Sequence, residues 1–207
     1  MDTEKFFKEA LEKHPLSEKR KELLHAISEK ITAIYTEHQK VHLNFICTHN
    51  SRRSQLAQVW SFFAAHYFKL EHIFAFSGGT EATAFHRNTI KTLKEVGFLF
   101  HLTDFNHQNP KYLISFKGAK KELLGFSKTF DNKHNNQPYI AITTCDSADK
   151  NCPFIPEALH RFHLPFTDPK IGDNTVEEGE IYLKINQQIA GEVFVIFSKL
   201  AKKTTAN

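Results

Sequence analysis

Long hydrophobic runs are missing from this chain. The longest fully apolar stretch near the C-terminus is Val193 to Phe197, five residues, against the roughly 20 needed to cross a bilayer, so no membrane association is expected. The opening Met-Asp-Thr-Glu-Lys leads straight into a charged amphipathic pattern and lacks the basic start, apolar middle and small-residue cleavage site of a secretory signal. A cytoplasmic protein is therefore expected, where thiols stay reduced. Cysteine is scarce: Cys47, Cys145 and Cys152 are the three in 207 residues, which excludes a disulfide scaffold and points to chemistry rather than cross-links. Glycine (8) and proline (7) are too few for a fibrous chain, and 41% hydrophobic with 24% charged residues excludes disorder. Clustered positive charge is absent as well. The net charge of +4 comes from 27 basic and 23 acidic residues, with lysines scattered among acids throughout, so no nucleic-acid partner is expected. The 13 histidines are dispersed, with no His-Glu-x-x-His or paired Cys-x-x-Cys, and no metal or cofactor is expected.

What is present is enough for one medium domain with additions, since a typical domain has about 150 residues. Apolar residues recur at helical spacing from Thr3 to about Lys13 and from Glu18 to about His38, with Pro15 breaking the first helix and Ser17 capping the second. Residues 1–39 read as a helical hairpin extension packed on the main domain, or alternatively as an arm for oligomerisation or partner binding. Residues 40–207 then alternate strand and helix: strands at Val41 to Ile46 and Ile73 to Phe76, helices at Ser54 to Phe68 and Phe85 to Val96, and a Ser77-Gly78-Gly79 turn. That rhythm predicts an α/β fold with a parallel sheet of about four strands flanked by helices. It is lost between 106 and 137, which reads as an inserted hairpin, although Lys120 to Leu124 could equally start a helix. It resumes with a strand at Tyr139 to Thr144, a polar loop from Cys145 to Pro156, a short strand near His160 to Leu164 and a long helix from about Val176 to Lys199.

Directly after the first strand stands Cys47-Thr48-His49-Asn50-Ser51-Arg52-Arg53-Ser54, with Cys-x5-Arg-Ser spacing at a strand-loop-helix junction. With five Arg and ten Ser in the chain, three cysteines reach this spacing by accident about 0.4% of the time. The physics of such a loop is that of an anion trap. Backbone N–H groups of Thr48 to Arg53 can converge, the following helix adds its N-terminal partial charge, and Arg53 can grip two oxygens at once. The same field favours the thiolate form of Cys47, the form that attacks. Ser54 is placed to donate a hydrogen bond to that sulfur, and Asn50, tolerant of left-handed backbone, can hold the curl of the loop. A nucleophile attacking an oxyanion releases an oxygen that needs a proton. Asp168-Pro169, just past the last short strand, is the candidate general acid, because ligands of open α/β sheets sit beyond the carboxyl ends of the strands.

Cys47 to Gln55 resembles the phosphate-binding loop of the low-molecular-weight protein tyrosine phosphatase fold. Thr143 to Pro153 resembles the redox segment of thioredoxin-coupled arsenate reductases built on that fold, and the match runs from about Val41 into the C-terminal helix. The resemblance implies that Cys47 attacks arsenate, that Cys145 attacks the adduct and releases arsenite, and that Cys152 resolves the resulting disulfide for thioredoxin, the external reductant. It implies Asp168 as general acid, Arg53 as anion clamp, and Asn50 and Ser54 as loop-shaping residues. Three cysteines suit this chemistry, since two-electron reduction of arsenate ends in a disulfide and a third thiol can carry the oxidation to a reductant. Cys145 and Cys152 would be joined by a mobile polar segment, which must change shape to bring their Cα atoms within about 7 Å. Three departures stand out: His49 replaces a small residue, Arg52 adds a second cation, and Gln58 stands where some members have a carboxylate that helps bind potassium. Two other functions fit the same loop. One is hydrolysis of phosphomonoesters through a Cys47 phosphocysteine, and the other is a non-catalytic module that binds arsenate or phosphate.

Overall fold

The structure is a computed structural model describing residues 2–151 and 154–204. Its elements follow in the order α1 (Thr3–Glu9), α2 (Glu18–His38), β1 (Val41–Cys47), α3 (Arg53–Tyr67), β2 (Ile73–Gly79), α4 (Arg87–Glu95), β3 (Phe98–Asp104), β4 (Lys111–Phe116), β5 (Leu123–Gly125), β6 (Tyr139–Thr143), α5 (Asp146–Asn151), β7 (Ala158–His163), a 3-10 turn (Pro169–Gly172) and α6 (Glu178–Thr204). β1, β2, β6 and β7 form a four-stranded sheet in the order β2-β1-β6-β7, parallel throughout. This is the predicted flanked parallel sheet, and its carboxyl edge collects the ends of β1, β6 and β7. Among the described residues no helix is long and apolar enough to cross a membrane.

Local chemistry accounts for the element ends. Ser17 Oγ accepts from the Arg20 N–H at 3.2 Å to start α2, and Gln39 closes it in the left-handed region at φ 53°. β1 is buried on both faces, as the centre of a parallel sheet must be. Each of its polar residues has one hydrogen bond there, His42 Nδ1 with Pro138 O at 3.1 Å and Asn44 Nδ2 donating to Phe130 O at 3.0 Å. α1 and α2 both lie against α6. Phe6 and Phe7 each stack on Trp60 at 5.5 Å, and Leu24, Ile27 and Ile31 are fully buried in the same core as the sheet. Gly191 of α6 permits this approach, because a Cβ there would lie 3.1 Å from the Leu11 backbone.

Four expectations are corrected. α1 stops at Glu9 rather than near Lys13, the following residues forming turns. Gly78 and Gly79 end β2 instead of forming a turn, since Gly79 N donates to Lys128 O at 2.9 Å and its carbonyl accepts from Phe130 N at 3.0 Å. The irregular region contains the expected hairpin as the antiparallel pair β4 and β5, but β3 adds an unforeseen third strand from Phe98, and residues 120–124 lead into a strand rather than a helix. β3 escapes a periodicity reading because Leu99, on its outer face, is 59% exposed while Leu102, on the face of Phe98 and Phe100, is 42% exposed, so apolar residues do not mark out one buried side. Finally, the polar segment after Cys145 holds a short helix, α5. Ala148 is its single buried residue, and Asp149 fastens it, accepting from Thr143 Oγ1 at 2.8 Å and from Arg161 Nη2.

Candidate active site

Cys47 is the last residue of β1 and Arg53 the first of α3, so the five residues between them bridge a strand end and a helix N-terminus. The Cys47 side chain is 3% exposed, with its Sγ 3.0 Å from Ser54 Oγ. The direction of that bond follows from its neighbours. The Lys128 backbone N–H can only donate, and it meets Asn50 Oδ1 at 2.9 Å. Asn50 Nδ2 therefore faces Ser54 Oγ and donates to it at 2.9 Å, which leaves the Ser54 hydrogen for the sulfur. Asn50 has φ 47°, the left-handed curl expected of it, and Gln55 Nε2 secures its carbonyl at 3.1 Å. Gly79 passes directly beneath: a Cβ there would lie 2.6 Å from Thr48 O and 2.8 Å from Asn50 N.

The structure brings Arg53 and Asp168 together. Arg53 Nη2 donates to Asp168 Oδ2 at 2.7 Å and Nη1 to Phe166 O at 3.2 Å. Arg53 Nε is buried without a hydrogen-bond partner among the described residues, a donor available to an oxyanion oxygen. Asp168 also caps the 3-10 turn, its Oδ1 accepting from Lys170 N at 3.0 Å. Cys145, at the end of β6, is 3% exposed, and its Sγ lies 3.6 Å from Thr48 Oγ1 in the loop itself. Both sulfurs belong to one small buried cluster with Ile46, Tyr139, Ala141, Ala148 and Ile155. Thr144 fastens the two strand ends, donating through its backbone N–H to Ile46 O at 2.7 Å. Cys152 lies outside the described residues.

Other loop side chains turn elsewhere. His49 is exposed, with Nε2 3.6 Å from Glu81 Oε2, and Ser51 Oγ donates to Ala84 O at 2.7 Å. The Arg52 guanidinium, expected as a second cation for the oxyanion, is instead held by Tyr182 and Asp173: Nε donates to Tyr182 Oη at 2.7 Å and Nη2 to Asp173 Oδ2 at 2.6 Å. Burial, together with its own hydrogen bond to Asp173, pushes the Tyr182 phenol far above its ordinary range. Side-chain participation in the cradle thus falls to Arg53, while Thr48 to Arg52 can offer backbone N–H groups. Gln58, at the position of the potassium-binding carboxylate of some members, has both ends of its amide occupied, by Ala75 O at 3.2 Å and by the Ser77 hydroxyl, and so does not fit a cation. Lys128 carried no sequence signal; burial lowers its ammonium to about 7, its Nζ 4.8 Å from the centre of the Phe126 ring.

No family model matches the chain. Curated relatives include Arsenate reductase 2 of Staphylococcus epidermidis, 32% identical over 127 residues, covering 60% of this chain and 76% of that protein. The arsenate reductase of Bacillus subtilis is 30% identical over 134 residues, covering 65% of this chain and 78% of the relative. Among solved structures, a low-molecular-weight phosphotyrosine phosphatase from Vibrio cholerae O395 superposes with a TM-score of 0.50 at 10% identity, covering 79% of this chain and 98% of that one. The corresponding phosphatase from T. tengcongensis also gives 0.50, at 16% identity over 78% of this chain and 100% of its own. These likenesses concern the fold.

Proposed function

The chain belongs to the arsenate reductases built on the low-molecular-weight phosphatase fold, and from that premise we propose that it reduces arsenate to arsenite by a three-cysteine relay that thioredoxin regenerates. One observation carries the relay: Cys145 Sγ lies 3.6 Å from the hydroxyl of Thr48, the residue that follows Cys47.

In the first step the Cys47 thiolate attacks arsenic, a sulfur–arsenic bond forms, and an arsenic–oxygen bond breaks. The incoming oxyanion competes with Asp168 for Arg53, and Asp168, released from that pair, supplies the proton with which the oxygen leaves as water. Cys145 then attacks Cys47 Sγ. A disulfide forms, the sulfur–arsenic bond breaks, and its electron pair leaves on arsenic, which departs as arsenite. Cys152 attacks Cys145 in turn and frees the Cys47 thiolate, and the dithiol of thioredoxin reduces the Cys145–Cys152 disulfide. A disulfide needs Cα atoms within roughly 7 Å, and α5 lies in the chain between Cys145 and Cys152. The last exchange is proposed to draw on this segment, which Asp149 ties to Thr143 and Arg161.

Phosphomonoester hydrolysis is the second reading, favoured by the fact that Cys47, Arg53 and Asp168 form a complete phosphatase set without Cys145. Arsenate turnover with thioredoxin and its reductase separates the two. Cys152→Ser should stop multiple turnover while p-nitrophenyl phosphate hydrolysis persists, and Cys47→Ser should stop both. Equal multiple-turnover rates for the unaltered protein and Cys152→Ser remove the relay.

A further inference from the structure

The segment that carries Asp168 is held from two sides. From the active site, Arg53 Nη1 donates to the carbonyl of Phe166 at 3.2 Å. From the opposite side Arg20, in the first turn of α2, donates through Nη2 to the carbonyl of Pro165 at 3.0 Å, and its guanidinium lies over the Phe166 ring, 5.0 Å from the centroid. Arg20 is itself fixed by Glu192 of α6, with Nη2 2.7 Å from Oε2 and Nε 3.0 Å from the same oxygen. Glu192 is 2% exposed, a carboxylate that stays ionised in that setting only with a cation beside it. A planar fork that holds a carboxylate, a carbonyl and a ring face together is a task for arginine and not for lysine.

We propose that Arg20 is a positioning residue for the general acid: through Pro165 and Phe166 it sets where the Asp168 carboxyl meets the leaving oxygen, which makes the N-terminal helix part of the catalytic apparatus. The inference rests on the reading of Asp168 as proton donor. It accounts for a cation–carboxylate pair buried between the N-terminal helix and α6 beside the acid-bearing segment.

The test is the dependence of hydrolysis on the leaving group. Phenol leaves poorly unless protonated, whereas p-nitrophenol needs little help, so the ratio of kcat/KM for p-nitrophenyl phosphate over phenyl phosphate reports the general acid. General-acid catalysis is worth roughly 10²- to 10⁴-fold, and partial misplacement of the carboxyl should raise the ratio about tenfold. Arg20→Lys keeps a cation beside Glu192 but loses the fork. Arg20→Met with Glu192→Met removes both charges together, so that neither variant strands a buried carboxylate. Both should raise the ratio, Arg20→Lys the less, and neither should raise it further in an Asp168→Asn background. A ratio unchanged by both variants, or raised equally with and without Asp168, while Asp168→Asn alone raises it, overturns the role of Arg20 and leaves the general acid standing. If Asp168→Asn does not raise the ratio, or the unaltered protein hydrolyses neither ester, the general-acid reading falls and this inference falls with it.

Discussion

Replacing Lys128 by methionine should stabilise the protein, and by an amount that depends on pH. The side chain is 3% exposed, and its ammonium has no hydrogen-bond partner among the described residues. Burial lowers the group from the ordinary lysine value of 10.5 to about 7. Each unit of difference between folded and unfolded chains is worth about 1.4 kcal/mol, so the penalty for burying the charged form is on the order of 5 kcal/mol, reduced by whatever relaxation the site allows. The sign follows from proton binding. Below about pH 7 the lysine is charged in both states and the full penalty is present. As pH rises towards 10.5 the unfolded chain holds the proton and the folded one does not, so stability rises and the penalty disappears. Methionine fills the same channel beside Phe126 without a charge. Urea unfolding of both proteins at pH 6.5, 8 and 9.5 should therefore show a gain of several kcal/mol at the lowest pH that shrinks steadily upward. An equal gain at all three pH values, or a loss at pH 6.5, refutes the reasoning.

Two further outcomes follow from the loop. Gly79→Ala places a methyl group 2.6 Å from Thr48 O and 2.8 Å from Asn50 N, both backbone atoms that cannot swing away. The cradle must shift, and arsenate kcat/KM should fall about 100-fold, as displacements near 1 Å typically produce; unchanged turnover would show that the loop tolerates the shift. Asp168→Asn should lower arsenate kcat/KM by roughly 10²- to 10⁴-fold yet tighten phosphate binding several-fold, because Arg53 no longer has a carboxylate at 2.7 Å competing for it. Calorimetric titration with inorganic phosphate checks the second half, and weakened binding contradicts the competition.

Elements with strong local signals were legible without coordinates. α2 spans Glu18–His38, as the Ser17 cap and the apolar spacing predict, and the strand-loop-helix at Cys47 follows from its spacing alone. The rule that places ligands beyond strand ends led to Asp168 on the side of Cys47, but not to its ion pair with Arg53. What stayed hidden is long-range or non-periodic. β3 hides because Leu99 interrupts the polar pattern of its outward face and Leu102 is exposed on its inward one. α5 is held by Asp149 and Arg161 and not by an apolar stripe. Arg20, Pro165 and Glu192 are far apart in sequence, and no spacing announces a contact of that kind. Arg52 and Arg53 are adjacent and chemically identical, yet one faces Asp168 and the other Asp173 and Tyr182, a division that depends on which way α3 begins its first turn.

Electron transfer between sulfurs is tested most directly by mapping disulfides after one equivalent of arsenate, without thioredoxin, by mass spectrometry of digested protein. The unaltered chain should carry the Cys145–Cys152 link and Cys152→Ser the Cys47–Cys145 link, each with one arsenite released. Arsenite release with all three thiols still free, or a Cys47–Cys152 link formed without Cys145, contradicts the relay.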